Sequence, residues 1–168
     1  MDNYKVAING TKLAAQILGI DTPDVQFFYN KDLTGKGINS IFLKEDYIIA
    51  FNEEWVEQAN PMEIQVTCFH ESRHAFQWKC INEDGPSNVE LSTLQIWKKE
   101  MNEYSQPTKK DIPEEEYLMQ EIEIDAIAFA HKMMLEHFGL KTGIPNIIEK
   151  EIQQILMKDV ISDEQKDL

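Results

Sequence analysis

His70-Glu71-Ser72-Arg73-His74 is a complete His-Glu-x-x-His motif within a stretch that has the pattern of a helix. Residues four apart lie on the same face of a helix, so the two imidazoles can converge on one metal ion. Glu71 lies next to the first histidine, within reach of a water molecule bound to that ion. Two nitrogen ligands, an open coordination position and a carboxylate base are the elements of a catalytic zinc site. The motif therefore predicts metal-assisted hydrolysis.

The predicted helix around the motif spans residues 61–80. Asn60 is a candidate N-cap, Pro61 takes the first helical position and Glu63 places a negative charge in the first turn. Apolar residues surround the motif on more than one face, as in a buried helix: Ile64, Val66, Cys68, Phe69, Ala75, Phe76 and Trp78. Packing or solvation could also explain the two histidines and the glutamate. Burying them together with Arg73 is unfavourable unless they are paired or bind a metal, so we favour the metal site.

The whole chain, 168 residues long, is predicted to form one domain over residues 1–161, followed by a charged tail at 162–168 that we expect to be disordered. Its formal charge of −14 disfavours nucleic acid and anionic membrane as partners. The first residues do not have the pattern of a signal peptide, and no apolar run has the length of a membrane-spanning helix. Cys68 and Cys80 lie on the motif helix, too far apart to pair if it is continuous. These features predict a cytoplasmic protein.

The hydrophobic pattern of the remaining sequence predicts an α+β fold. A small N-terminal β-sheet with one helix is expected before the motif helix, and a helical part after it. The elements predicted before the motif are a helix at 11–18 ended by Gly19, strands at 25–29, 38–43 and 47–51, the last two forming a hairpin, and a short helix at 52–59. Those predicted after it are a helix from a capping box at 87–90 to residue 104, a long helix at 113–138 ended by Gly139, and a helix at 145–158.

A third zinc ligand is expected from a later element, because a catalytic zinc usually has three protein ligands and a water. His131 and His137 lie late in the long helix, where a solvated helix-end role is favoured. Glu121, Glu123 and Asp125 lie in an apolar run, where buried carboxylates need partners. Glu121 could bind zinc while Asp125 orients a ligand histidine, or Glu123 could be the ligand. The two glutamates lie on nearly opposite faces of a helix, so the spacing leaves these alternatives open.

The motif helix and residues 123–130 (EIDAIAFA) together resemble the ImmA/IrrE-type family of small cytoplasmic metallopeptidases. That family pairs His-Glu-x-x-His with a later Glu-x-x-Ala-x-x-Phe-Ala, and residues 123–130 match its four fixed positions. The resemblance implies a zincin-like fold, a peptide or protein substrate, and Zn²⁺ as cofactor. It also implies His70 and His74 as ligands, Glu71 as general base and Glu123 as the third ligand.

The chain departs from that family's pattern in three respects. Ile127 stands where Asn or Asp is usual, and the spacer before Glu123 holds an extra predicted helix. No helix-turn-helix segment for DNA binding is evident, although some members of that family carry one. A Glu-x-x-x-Asp spacing like that of thermolysin-type enzymes favours Glu121 instead. The alternative function is a non-catalytic, zinc-stabilised binding module on a peptidase-like fold. A further alternative is that no metal binds and that the histidines and carboxylates form a buried polar network. The sequence does not predict the oligomeric state.

The cleft of zinc peptidases that share the motif lies beside an edge strand, to which an extended peptide can add. Residues 47–51 are expected to be this edge strand. The oxyanion of the reaction needs a donor besides the metal. The candidates are Tyr104, Tyr117, Arg73 and His131, although Arg73 is expected to pair with an acidic neighbour instead.

Overall fold

The computed structural model describes residues 2–29, 38–82, 89–103 and 114–164 and shows an α+β chain of mostly helical content. The strands are β1 (Asp24–Phe28), β2 (Ser40–Leu43) and β3 (Ile48–Asn52). The helices are α1 (Asn3–Leu18), α2 (Glu53–Gln58), α3 (Pro61–Ile81), α4 (Leu91–Asn102), α5 (Glu114–Leu118), α6 (Glu121–Phe138) and α7 (Glu149–Glu164), with a 3-10 turn at Asn146–Ile148. The predicted class, with the small sheet before the motif helix and helices after it, is confirmed. The sequence also predicts loops at residues 30–37, 82–88 and 105–111, which lie outside the described residues except for Asn82, the C-cap of α3.

Helix α1 begins earlier than the predicted residue 11, because the Asp2 side chain caps it by accepting from the amides of Tyr4 and Lys5. Gly19, with φ of 66°, ends it as predicted. Gly10 lies where α1 packs on α3, and a Cβ atom there would be 2.8 Å from Gln65 Oε1. Glycine weakens the helix pattern of this segment in the sequence. It is nevertheless required at this position, because a side chain would prevent the close packing of α1 on α3.

The sheet has the order β1-β3-β2, with β3 parallel to β1 and antiparallel to β2. The predicted hairpin of β2 and β3 is confirmed. The expectation that residues 47–51 form an edge strand is wrong, because β3 is the central strand. Its Ile49, Ala50 and Phe51 are fully buried, and such a continuous apolar run is typical of a strand covered on both faces. The edge strand that packs against α3 is β2.

Helix α3 carries the motif and packs against α1, α4, α6 and β2 at the centre of the fold. Its predicted start is confirmed: the Asn60 side chain accepts from the Met62 amide, and Glu63 accepts from the Asn60 amide, in a capping box with Pro61. The helix is continuous through Cys68 and Cys80, which are both buried and are not joined by a disulfide.

The helix predicted from the capping box at 87–90 starts later, since α4 begins at Leu91 with Glu90 as its N-cap. Glu90 has an extended backbone and its side chain makes no capping hydrogen bond. A local cap contributes only about 0.5–2 kcal/mol, so tertiary packing can move a helix start. Residues 87, 88 and 104 of this prediction lie outside the described residues.

The prediction of a single helix at 113–138 is wrong, because the helix is interrupted between α5 and α6. Gln120 has an extended backbone (φ −68°, ψ 133°) and is the N-cap of α6. The amides at the start of α6 are held by a side chain from α4: Glu100 accepts from Glu121 at 3.3 Å and from Ile122 at 2.9 Å. The break places Glu123 in the first turn of α6. Gly139 ends this helix as predicted.

Helix α7 runs to Glu164 and so includes the first three residues of the predicted tail, whereas 165–168 lie outside the described residues. The disorder of that tail stays a prediction. Among the described residues, no helix is both long and apolar enough to cross a membrane.

Candidate metal centre

Three side chains from two helices converge where the motif predicts a metal. His70 and His74 lie one turn apart on α3, and Glu123 reaches them from the first turn of α6. The two Nε2 atoms are 3.1 Å apart; Glu123 Oε2 lies 3.3 Å from His70 Nε2, and Oε1 lies 3.2 Å from His74 Nε2. Zinc holds nitrogen and oxygen ligands at about 2.0–2.2 Å, so tetrahedral ligand atoms are about 3.3 Å apart. These three side chains, called the metal group below, could hold a metal ion.

Burial makes the charges of this group interdependent. Glu123 is fully buried and His74 is 6% exposed. Burial alone raises the pKa of Glu123, but the charge of His74 and hydrogen bonds from both histidines outweigh burial and hold that pKa well below its usual range. Burial lowers the pKa of His74, but the charge and hydrogen bond of Glu123 outweigh it and raise the pKa to about 9. Without metal, a proton on His74 balances the carboxylate; a bound cation would take over that role.

The competing carboxylates lie elsewhere. Glu121 is exposed at the first position of α6 and does not belong to the group of possible ligands. Asp125 accepts two hydrogen bonds from Arg73, from Nε at 2.8 Å and from Nη2 at 2.9 Å. This pair confirms the expectation that Arg73 has an acidic neighbour.

Glu71, the predicted general base, is buried beside the metal group. Ser40, the first residue of β2, donates from Oγ to Glu71 Oε1 at 2.6 Å. The charge of Glu71 also raises the pKa of His74, although by less than Glu123 does. The edge strand, the carboxylate and the metal ligands are therefore adjacent.

Of the predicted oxyanion donors, Tyr117 is the one placed at this group: its hydroxyl donates to Glu123 Oε2 at 2.7 Å. Tyr104 lies outside the described residues. His131 is buried rather than solvated, with Nδ1 2.8 Å from Thr142 Oγ1, so the helix-end role expected for it is wrong. The chain after Gly139 folds back over α6, which sequence spacing does not indicate. His137 is exposed in the last turn, as expected.

Sequence reasoning missed two residues that contact the group. Ser40 carries no signal of its own, since its contact depends on how β2 packs on α3. Gln77 contacts His74 at 2.8 Å, and its position three residues later on the same helix was a usable signal.

We expect metal-free protein to lose stability as the pH rises from about 6.5 to about 9. The folded-state pKa of His74 is raised from 6.5 to about 9, so its contribution to stability is complete below 6.5 and is lost as the pH rises through 9. The free energy of unfolding should fall by on the order of a few kcal/mol, measured by urea denaturation of chelator-treated protein.

Glu123→Gln is the control for this pH dependence, because it removes the charge that outweighs the burial of His74. Its stability should change little over the same range. A wild-type free energy of unfolding that stays constant or rises between these pH values would contradict the charge pairing described above.

No protein-family model matches the chain, and no curated protein or solved structure shows significant similarity to it.

Proposed function

We propose that this chain is a zinc-dependent, zincin-like peptidase in which His70, His74 and Glu123 hold the metal and Glu71 is the general base. The observation that carries the proposal is the geometry of these side chains: the two imidazole Nε2 atoms lie 3.1 Å apart, and each lies within 3.3 Å of a carboxylate oxygen of Glu123, distances that fit ligands of one zinc ion. Within the described residues the group has three members, which is the number typical of catalytic rather than structural zinc.

Zinc bound here would supply a Lewis acid that lowers the pKa of a bound water and polarises the substrate carbonyl. Glu71 accepts the proton of the attacking water and returns it to the leaving amine. The hydrogen bond from Ser40 holds one oxygen of this carboxylate in place. Tyr117, whose hydroxyl lies against Glu123, is the residue best placed to donate to the oxyanion.

The proposed substrate is a peptide or an unfolded segment of a protein, without nucleic acid or membrane as partner. In the part of the chain that the structure describes, β2 is one of the two edge strands of the sheet and carries Ser40, which contacts Glu71. A peptide that adds to this edge by backbone hydrogen bonds would lie beside Glu71 and the metal. The ImmA/IrrE-like pattern of residues 123–130 supports the same activity and a cytoplasmic location.

Hydrolysis of a disordered protein substrate, followed by mass spectrometry of new peptide termini, tests the proposal. We expect cleavage that a chelator abolishes and that zinc restores. His70→Gln should lose this activity because it removes a ligand, whereas His137→Gln, a matched change at an exposed histidine, should keep it. Zinc bound at the predicted residues without any cleavage would contradict the peptidase and favour a binding module.

A further inference from the structure

Gln77 is a fully buried polar side chain whose amide makes three hydrogen bonds. Its Oε1 lies 2.8 Å from His74 Nδ1, and its Nε2 donates to the Ile122 carbonyl at 2.9 Å and to Asp125 Oδ2 at 2.7 Å. The side chain thus joins the motif helix α3 to the first turn of α6, which carries Glu123.

These contacts fix the orientation of the amide. A backbone carbonyl can only accept hydrogen bonds. A carboxylate that accepts two hydrogen bonds from an arginine also acts only as an acceptor. The nitrogen of Gln77 must therefore face Ile122 and Asp125, because the opposite orientation would set its oxygen against two acceptors. Its oxygen then faces His74.

The amide orientation in turn fixes the protonation of the imidazole. An amide oxygen only accepts, so the His74 Nδ1 that faces it must carry a hydrogen. In the neutral ring, the lone pair is then on Nε2, the atom that lies 3.1 Å from His70 Nε2 and 3.2 Å from Glu123 Oε1. This is the tautomer that a metal at the candidate centre requires.

Arg73 holds the far end of this chain of contacts. Its bidentate pair with Asp125 keeps that carboxylate in position, and its guanidinium lies 4.4 Å from the centre of the Phe76 ring and 5.2 Å from that of Phe129. The order of contacts is Arg73, Asp125, Gln77, His74. Each member restrains the next.

We propose that Gln77 is a positioning residue for the metal ligand His74, which it holds in the Nδ1–H tautomer through the network with Asp125 and Arg73. This inference rests on the proposed metal site. A neutral amide orients the ring without adding a negative charge beside Glu71 and Glu123, both already buried. Partners of this kind typically change metal affinity 10–100-fold.

The zinc affinity of Gln77→Leu, measured by chelator competition, tests this role against a matched control. Gln65→Leu makes the same change at another buried glutamine of α3, one that lies against α1 rather than the metal group. We expect Gln77→Leu to bind zinc about 10–100-fold more weakly than wild type. We expect Gln65→Leu to keep wild-type affinity even if its stability falls. Equal affinities of the two variants would overturn the proposal.

A second measurement on the wild-type protein does not depend on whether Gln77→Leu folds. Long-range proton–nitrogen NMR of zinc-loaded protein should show His74 protonated at Nδ1 and bound to the metal through Nε2. Coordination through Nδ1 would overturn the proposal. Failure of wild-type protein to bind zinc would overturn the metal site itself, whereas zinc binding with unaffected Gln77→Leu would overturn the positioning role alone.

Discussion

Replacing Glu71 with glutamine is expected to abolish peptide hydrolysis while leaving zinc bound. Glutamine has the same shape and keeps an oxygen to accept the hydrogen bond from Ser40, but it cannot take a proton from the attacking water. Loss of a general base typically lowers kcat about 10²–10⁴-fold. Rates on the same disordered substrate, together with metal analysis of each preparation, measure both parts of the expectation.

Glu63→Gln is the matched control on the same helix. The carboxylate of Glu63 accepts from the Asn60 amide at the helix start, two turns from the metal group. We expect its hydrolysis rate to be unchanged and its stability to fall by no more than about 1 kcal/mol. A Glu71→Gln variant that cleaves at the wild-type rate would show that Glu71 is not the base.

Removing the carboxylate of Glu123 is expected to lower zinc affinity on the order of 100-fold. Structural sites with four ligands bind zinc with about 10–16 kcal/mol, or roughly 3 kcal/mol for each ligand. Glu123→Ala removes one of the three possible ligands, which chelator competition detects. Circular dichroism of the metal-free variant shows whether the fold is kept.

Glu121→Ala is the control for the third ligand, since Glu121 lies two residues before Glu123 and is exposed. Its affinity for zinc should equal that of the wild type. The reverse result, with zinc lost on replacing Glu121 and kept on replacing Glu123, would contradict the proposed ligand set.

The parts of the fold and site that local sequence predicts are those set by helix geometry. The spacing of His70 and His74 places them on one helix face whatever surrounds them, and the caps at Asn60, Gly19 and Gly139 are local as well. The α+β class and the helical setting of the motif could also be predicted from the sequence, because they follow from local patterns.

Helix spacing alone could not predict whether Glu121 or Glu123 lies beside the two histidines. The answer depends on the break at Gln120, where α6 begins, and the amides at that break are held by Glu100 from another helix. No local pattern encodes such a contact. The same holds for the strand order. It makes β3 the central strand and β2 an edge strand, and Ser40 of β2 contacts Glu71.

Zinc content of the untagged wild-type protein, purified without chelators and measured by elemental analysis, tests the metal centre most directly. The convergence of His70, His74 and Glu123 predicts close to one zinc per chain. Protein that contains no zinc and takes up none when zinc is added would contradict the metal centre, and with it the proposed peptidase activity.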